Sequence, residues 1–171
     1  MPRALHILCV ALSAAAAFAI SSPDRAAAQS CSGPSNCIVV TIAGVGTFAA
    51  VSYQWGVPGF PSTVGAAPEL TFARIGDTQS ANLMTLVQAQ NTAKTADLDV
   101  IFQGTVTVNY HMSGVTMTQV LHSGENPSPN AEAQPLESIV LSFKKLKYTF
   151  QPVLPNGQKN GPPVSVNWSF K

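Results

Sequence analysis

The chain has 171 residues, suiting one domain behind a leader. It carries nine basic and eight acidic side chains and 46% apolar residues. That balance excludes nucleic acid as a partner and, once a leader is removed, a membrane surface, because both need clustered Lys and Arg to displace counterions.

Residues 1–28 read as a cleaved secretory signal. Arg3 gives the positive start, residues 5–20 are apolar except for His6 and Ser13, and Ala26-Ala27-Ala28 fits a small-residue cleavage site before Gln29. The apolar run is shorter than the roughly 20 residues that span a bilayer. Loss of Arg3, Asp24 and Arg25 leaves seven charges of each sign in residues 29–171, a single domain with no net charge. Such a protein meets copies of itself without a large repulsive penalty. Cys31 and Cys37 also remain, six positions apart around Gly33 and Pro34. In an oxidising, secreted or periplasmic setting a small disulfide loop is the natural pairing, with lipidation of Cys31 as the alternative.

Residues 38–42 form a β-branched run that predicts a short buried strand, interrupted by Gly44 and Gly46. Residues 48–55 read as a strand with Val51, Tyr53 and Trp55 on one face. Residues 56–68, with three prolines and three glycines, read as a long loop. A strand over 70–75 leads to Asp77 or Thr78, either able to cap a helix that carries Leu83, Leu86 and Val87 as its apolar stripe.

Leu98, Val100 and Phe102 alternate with Asp97, Asp99 and Ile101, and Val106, Val108, Tyr110 and Met112 oppose a polar row of Thr105, Thr107, Asn109 and His111. The pattern continues less cleanly through Val115, Met117 and Leu121 before a loop over 123–135. Ile139, Leu141 and Phe143 sit at odd positions, but Leu146, Tyr148 and Phe150 at even ones. A strand cannot change parity without an extra residue, so a bulge or bend near Lys144-Lys145 is predicted. After a loop with the turn signal Asn156-Gly157, the last strand puts Val164, Val166, Trp168 and Phe170 on one face. These elements predict a mainly β fold, a small barrel or sandwich of two antiparallel sheets with one short flanking helix.

Several segments together resemble the haemolysin-coregulated protein (Hcp) family, the tube protein of type VI secretion. They are Tyr53-Gln54-Trp55-Gly56, the stretch from Glu69 to Arg74 leading to Asp77, Asn82-Leu83-Met84, residues 137–150, and Asn156-Gly157 followed by Gly161-Pro162-Pro163-Val164 and Asn167-Trp168. The resemblance covers roughly residues 37–171. It implies a six-subunit ring able to stack, with a channel that holds small effector or cargo proteins, and no catalysis or cofactor. The leader and the cysteine pair depart from a tube protein assembled in the cytoplasm, and point to a relative exported by the general pathway.

His111 and His122 open no metal-ligand spacing, and Asp97 and Asp99 share a strand face without further oxygen ligands. No nucleophile elbow or phosphate loop is present, so no metal, cofactor or catalytic residue is expected. Lys144, Lys145 and Lys147 form the only basic cluster, either a solvated edge that discourages stray strand pairing or a face for a neighbouring subunit. Tyr53, Trp55 and Trp168 suit core packing better than ligand stacking. The uncharged loop offers Val57, Phe60 and Val64 as candidates for contact with an adjacent ring or subunit. The expected function is therefore a self-assembling, non-enzymatic ring or tube subunit. The competing expectation is a monomeric secreted module that binds a protein or glycan.

Overall fold

A computed structural model describes residues 36–55, 68–89, 92–124 and 135–170. Its strands are β1 (Cys37–Ile42), β2 (Gly46–Ala50), β3 (Ser52–Trp55), β4 (Glu69–Ile75), β5 (Thr92–Phe102), β6 (Thr105–Ser123), β7 (Leu136–Ser142), β8 (Lys145–Phe150) and β9 (Val164–Ser169). The helix α1 spans Ser80–Gln88. All strand pairs are antiparallel.

The 19-residue β6 organises the sheet. One edge pairs with β5 along most of its length. The other edge pairs first with β8, from Val108↔Phe150 to Ser113↔Lys145, and then with β7, from Thr116↔Ser142 to Ser123↔Leu136. The change of partner falls at Gly114, whose φ of +64° lies in the left-handed region that favours glycine. The predicted parity break is the same event seen from the partner strand. Phe143 and Lys144 separate β7 from β8, and the Lys144 N–H donates to the Ser113 carbonyl at 3.0 Å.

A second switch occurs at Val51. There β2, paired with β1, passes into β3, paired with β4, and the Val51 N–H donates to the Ala73 carbonyl at 2.8 Å. The result is two antiparallel layers, β2-β1-β5-β6-β8-β9 and β3-β4-β7-β6, joined through β6 and Val51 into one hydrogen-bonded network. Strands that change layers at bends are the usual corners of such a barrel-like sandwich.

Alternation decides which side chains fill the interior. Val40, Ile42, Leu70, Phe72, Leu98, Tyr110, Met112, Ile139, Leu141, Phe143 and Leu146 are buried together. Leu83 is the buried residue of α1, whereas Leu86 and Val87 are half-buried. Full burial of a leucine side chain contributes about 1.5–3 kcal/mol, which holds a helix this short better than propensity could. The helix begins slightly later than the capping residues suggest. Asp77 Oδ1 accepts the Gln79 N–H at 2.7 Å and Ser80 Oγ accepts the Asp77 N–H at 3.0 Å, fixing the turn that precedes it.

Several residues on faces expected to point inward do not go inward: Val106, Leu121, Phe150, Val164 and Val166 are exposed, because their rows run past the end of the core. Val51 is exposed as well, since it occupies the corner.

Candidate assembly surface

The basic cluster sits where β7 turns into β8. Lys144 lays its aliphatic stem against Gly114; a Cβ on that glycine would lie 3.2 Å from the stem carbons. Lys145 and Lys147 point out from β8 and are exposed. Register places Lys147 opposite His111 on β6 and Asn167 on β9, while Asp97 on β5 lies opposite both His111 and Thr41. One polar row, Thr41–Asp97–His111–Lys147–Asn167, thus crosses five strands. None of the three lysines forms an ion pair among the described residues.

The acidic residues of this face are tied down by neighbours. Asn109 Nδ2 donates to Asp99 Oδ1 at 2.7 Å and to Asp97 Oδ1 at 3.4 Å, and His111 Nδ1 lies 2.7 Å from Asp97 Oδ1. Burial pushes the Asp99 carboxyl above its ordinary value; the Asn109 hydrogen bond opposes that shift, and the nearby Asp97 adds to it. Among the described residues no group of three or more His, Cys, Asp or Glu is placed to hold a metal ion.

The aromatic residues pack on one another. Trp55 lies 5.6 Å from both Tyr110 and Trp168, and Tyr110 lies 5.5 Å from Tyr53 and 5.3 Å from Tyr148, ring centre to ring centre. Tilted and edge-on contacts at these distances are favourable aromatic packing. Tyr53, Trp55 and Trp168 are half-buried against the core. Burial, then a hydrogen bond with Tyr53, then the neighbouring Tyr53 and Tyr148 hydroxyls raise the Tyr110 hydroxyl far above its ordinary range.

Apolar surface gathers at one end of the larger layer. Phe150 on β8 pairs with Val164 on β9, and both are exposed, as are Val106 and Val166. An open groove of about 810 Å³ lies at the ends of β1 and β5, walled by Ile38, Val51, Val100, Phe102, Val153 and Leu154. The loop over 151–163 shapes this end by clamping onto the β5–β6 turn. Gln151 N–H donates to the Thr107 carbonyl at 2.8 Å, and Thr105 Oγ1 donates to the Gly157 carbonyl at 2.7 Å. Among the described residues no strand pairs beyond β9, which is an unpaired edge of the layer there.

Of the sequence candidates, the structure therefore brings Lys144, Lys145 and Lys147 to the β7–β8 corner. Val57, Phe60 and Val64 lie outside the described residues. Cys37 is disulfide-bonded, while Cys31, its expected partner, lies outside the described residues, as does the leader.

Sequence reasoning missed a buried ionic pair. Arg74 on β4 and Glu137 on β7 are 2% and 1% exposed, with Arg74 Nε 3.2 Å from Glu137 Oε2. The signal was available in parity, because Arg74 falls in step with Leu70 and Phe72, and Glu137 with Ile139 and Leu141.

Several solved type VI secretion proteins share this architecture. A type six secretion system protein superposes with a TM-score of 0.66 at 16% identity, covering 79% of this chain and 96% of that one. Hcp1 from Salmonella typhimurium superposes at 0.65 with 17% identity, covering 79% and 95%. A type VI secretion system effector from Yersinia pestis superposes at 0.60 with 18% identity, covering 77% and 98%. The fold is thus Hcp-like. No family model matches the chain. No curated protein matches it in sequence. Among the described residues no helix is long and apolar enough to cross a membrane.

Proposed function

We propose that this chain is a non-enzymatic, self-assembling subunit of a ring or tube resembling that of type VI secretion, exported behind residues 1–28 and working in the periplasm or outside the cell. The observation that carries the reading is the Hcp-like architecture, shared over at least 95% of the length of three solved type VI secretion proteins. Export is supported by the leader sequence and by the disulfide at Cys37, a bond that persists in oxidising compartments.

Assembly draws support from the open edge of β9 and the apolar residues beside it, since unpaired strand edges invite pairing with another chain. A six-membered ring would join unlike faces of successive subunits and close on itself. Such an assembly acts by its surfaces, as a scaffold or as a carrier of small proteins in its channel, and needs no cofactor.

The test is the mass of the processed protein by light scattering after gel filtration, with electron micrographs of the same peak. A mass near six subunits with ring-shaped particles is expected. A monomer at every concentration would overturn the reading in favour of a secreted module that binds a protein or glycan.

A further inference from the structure

Among the described residues, Arg74 is the largest of the fully buried side chains. It stands at the crossing of several elements. Its guanidinium carbon lies 4.9 Å from the centre of the Phe48 ring on β2, and its Nε donates to the Ile75 carbonyl at 3.2 Å while facing Glu137. Its Nη2 touches Asp77 Oδ1, on the turn that leads into α1. Register sets Arg74 directly opposite Glu137, and Glu137 directly opposite His122 on β6, whose Nδ1 is 3.3 Å from Glu137 Oε1. A single row of polar side chains therefore crosses three neighbouring strands and continues to the helix, because Asp77 also accepts the Gln79 N–H.

The backbone is shaped around this row. A Cβ on Gly76 would lie 3.3 Å from Glu137 Oε1 and equally close to the Pro135 carbonyl, and the Gly76 N–H donates to that carbonyl at 2.8 Å. Yet the charges are incompletely satisfied. Among the described residues, neither Arg74 Nη1, Nη2 nor either Glu137 oxygen has a partner of good hydrogen-bond geometry, although Nη2 is within ion-pair contact of Asp77. A buried pair recovers its lost hydration only when such valences are filled. This pair is therefore a poor net stabiliser compared with two apolar side chains, while demanding one arrangement of the strands that carry it.

We propose that the row Arg74–Glu137–His122 is a conformational latch. It commits β4, β7 and the last part of β6 to one register, and through Asp77 it holds α1 in place.

The test uses the full chain, recovered after processing, with Arg74→Met, Glu137→Leu and the double substitution. Either single change strands a buried charge and lowers the thermal midpoint by about 10 °C or more. The double variant should return to within about 4 °C of the parent, while amide exchange over α1 quickens by about tenfold or more relative to β5. A double variant as unstable as the singles makes the pair an ordinary stabiliser and overturns the latch. So does one whose helix exchanges at the parental rate. If the single variants do not fold, Arg74→Lys and Glu137→Gln keep the size of each side chain; faster exchange over α1 is expected from both, and unchanged exchange overturns the proposal.

Discussion

Gly157 and Gln103 meet where no larger pair could. A Cβ on Gly157 would lie 2.4 Å from Gln103 Cβ and 2.9 Å from the Gln103 carbonyl oxygen, and Gly157 holds φ at +80°. Gln103 itself has a φ of +48°, in the turn between β5 and β6. The turn and the clamping loop thus fit only because one partner has no side chain. Gly157→Ala should lower stability by about 2–3 kcal/mol, combining left-handed strain with the collision. Urea unfolding measures it, and a loss below about 0.5 kcal/mol, ordinary for a surface change, would show that the clamp is loose.

Asp99 supplies a pH test. Its folded pKa is raised from 3.8, first by burial, so its favourable contribution is complete below that value and is lost as pH rises through the higher folded one. At about pH 7 the ionised group opposes folding. Asp99→Asn should therefore stabilise the protein near neutrality and lose that advantage below about pH 3.5. Equal effects at both pH values, read from urea midpoints, would count against burial as the cause.

The open edge predicts a separation of folding from assembly. Val164 is 60% exposed on β9, so Val164→Lys should leave the thermal midpoint of the subunit unchanged within about 2 °C. On the proposed reading the same change lowers the assembled mass, because charged edge residues discourage strand pairing. Light scattering at matched concentrations decides it; unaltered mass would place the subunit contact elsewhere.

Phe60 addresses a different contact. It lies outside the described residues, in an uncharged loop proposed to dock on the next ring or subunit. Phe60→Asp is expected to abolish stacked particles in micrographs while single rings and the folded domain persist. Stacks of normal length would remove the loop from the assembly.

The disulfide at Cys37 should matter more to the subunit than to its contacts. If Cys31 is the partner, as proposed, the closed loop is short and the bond adds about 2 kcal/mol. Cys31→Ser should match Cys37→Ser in its loss of stability and raise the free-thiol count to one per chain. A Cys31→Ser protein without free thiol would reveal a different pairing.

Much of the architecture was legible before any coordinates. Alternation located the strands, and the parity change between Phe143 and Leu146 announced the bend that β7 and β8 share. The helix was readable from Leu83 and its neighbours, although it starts at Ser80, after a turn in which Asp77 accepts the Gln79 N–H and meets Arg74. Less of the candidate surface could be read. The lysines were visible as a cluster, but their alignment with His111 and Asp97 depends on register, and register is set by partners 14 and more residues away.

The sequence by itself determined the mainly β character, the break in β6's partner strand and the side chains available to a core, because these follow from the two-residue repeat of a strand and from turn chemistry. Only the tertiary structure decided that β6 serves two layers, that Val106, Val164 and Val166 remain outside, and that Arg74 and Glu137 are sealed inside together. Those outcomes rest on which distant strands pair, and where the core ends. Local periodicity says which face a side chain takes, but not what lies opposite it.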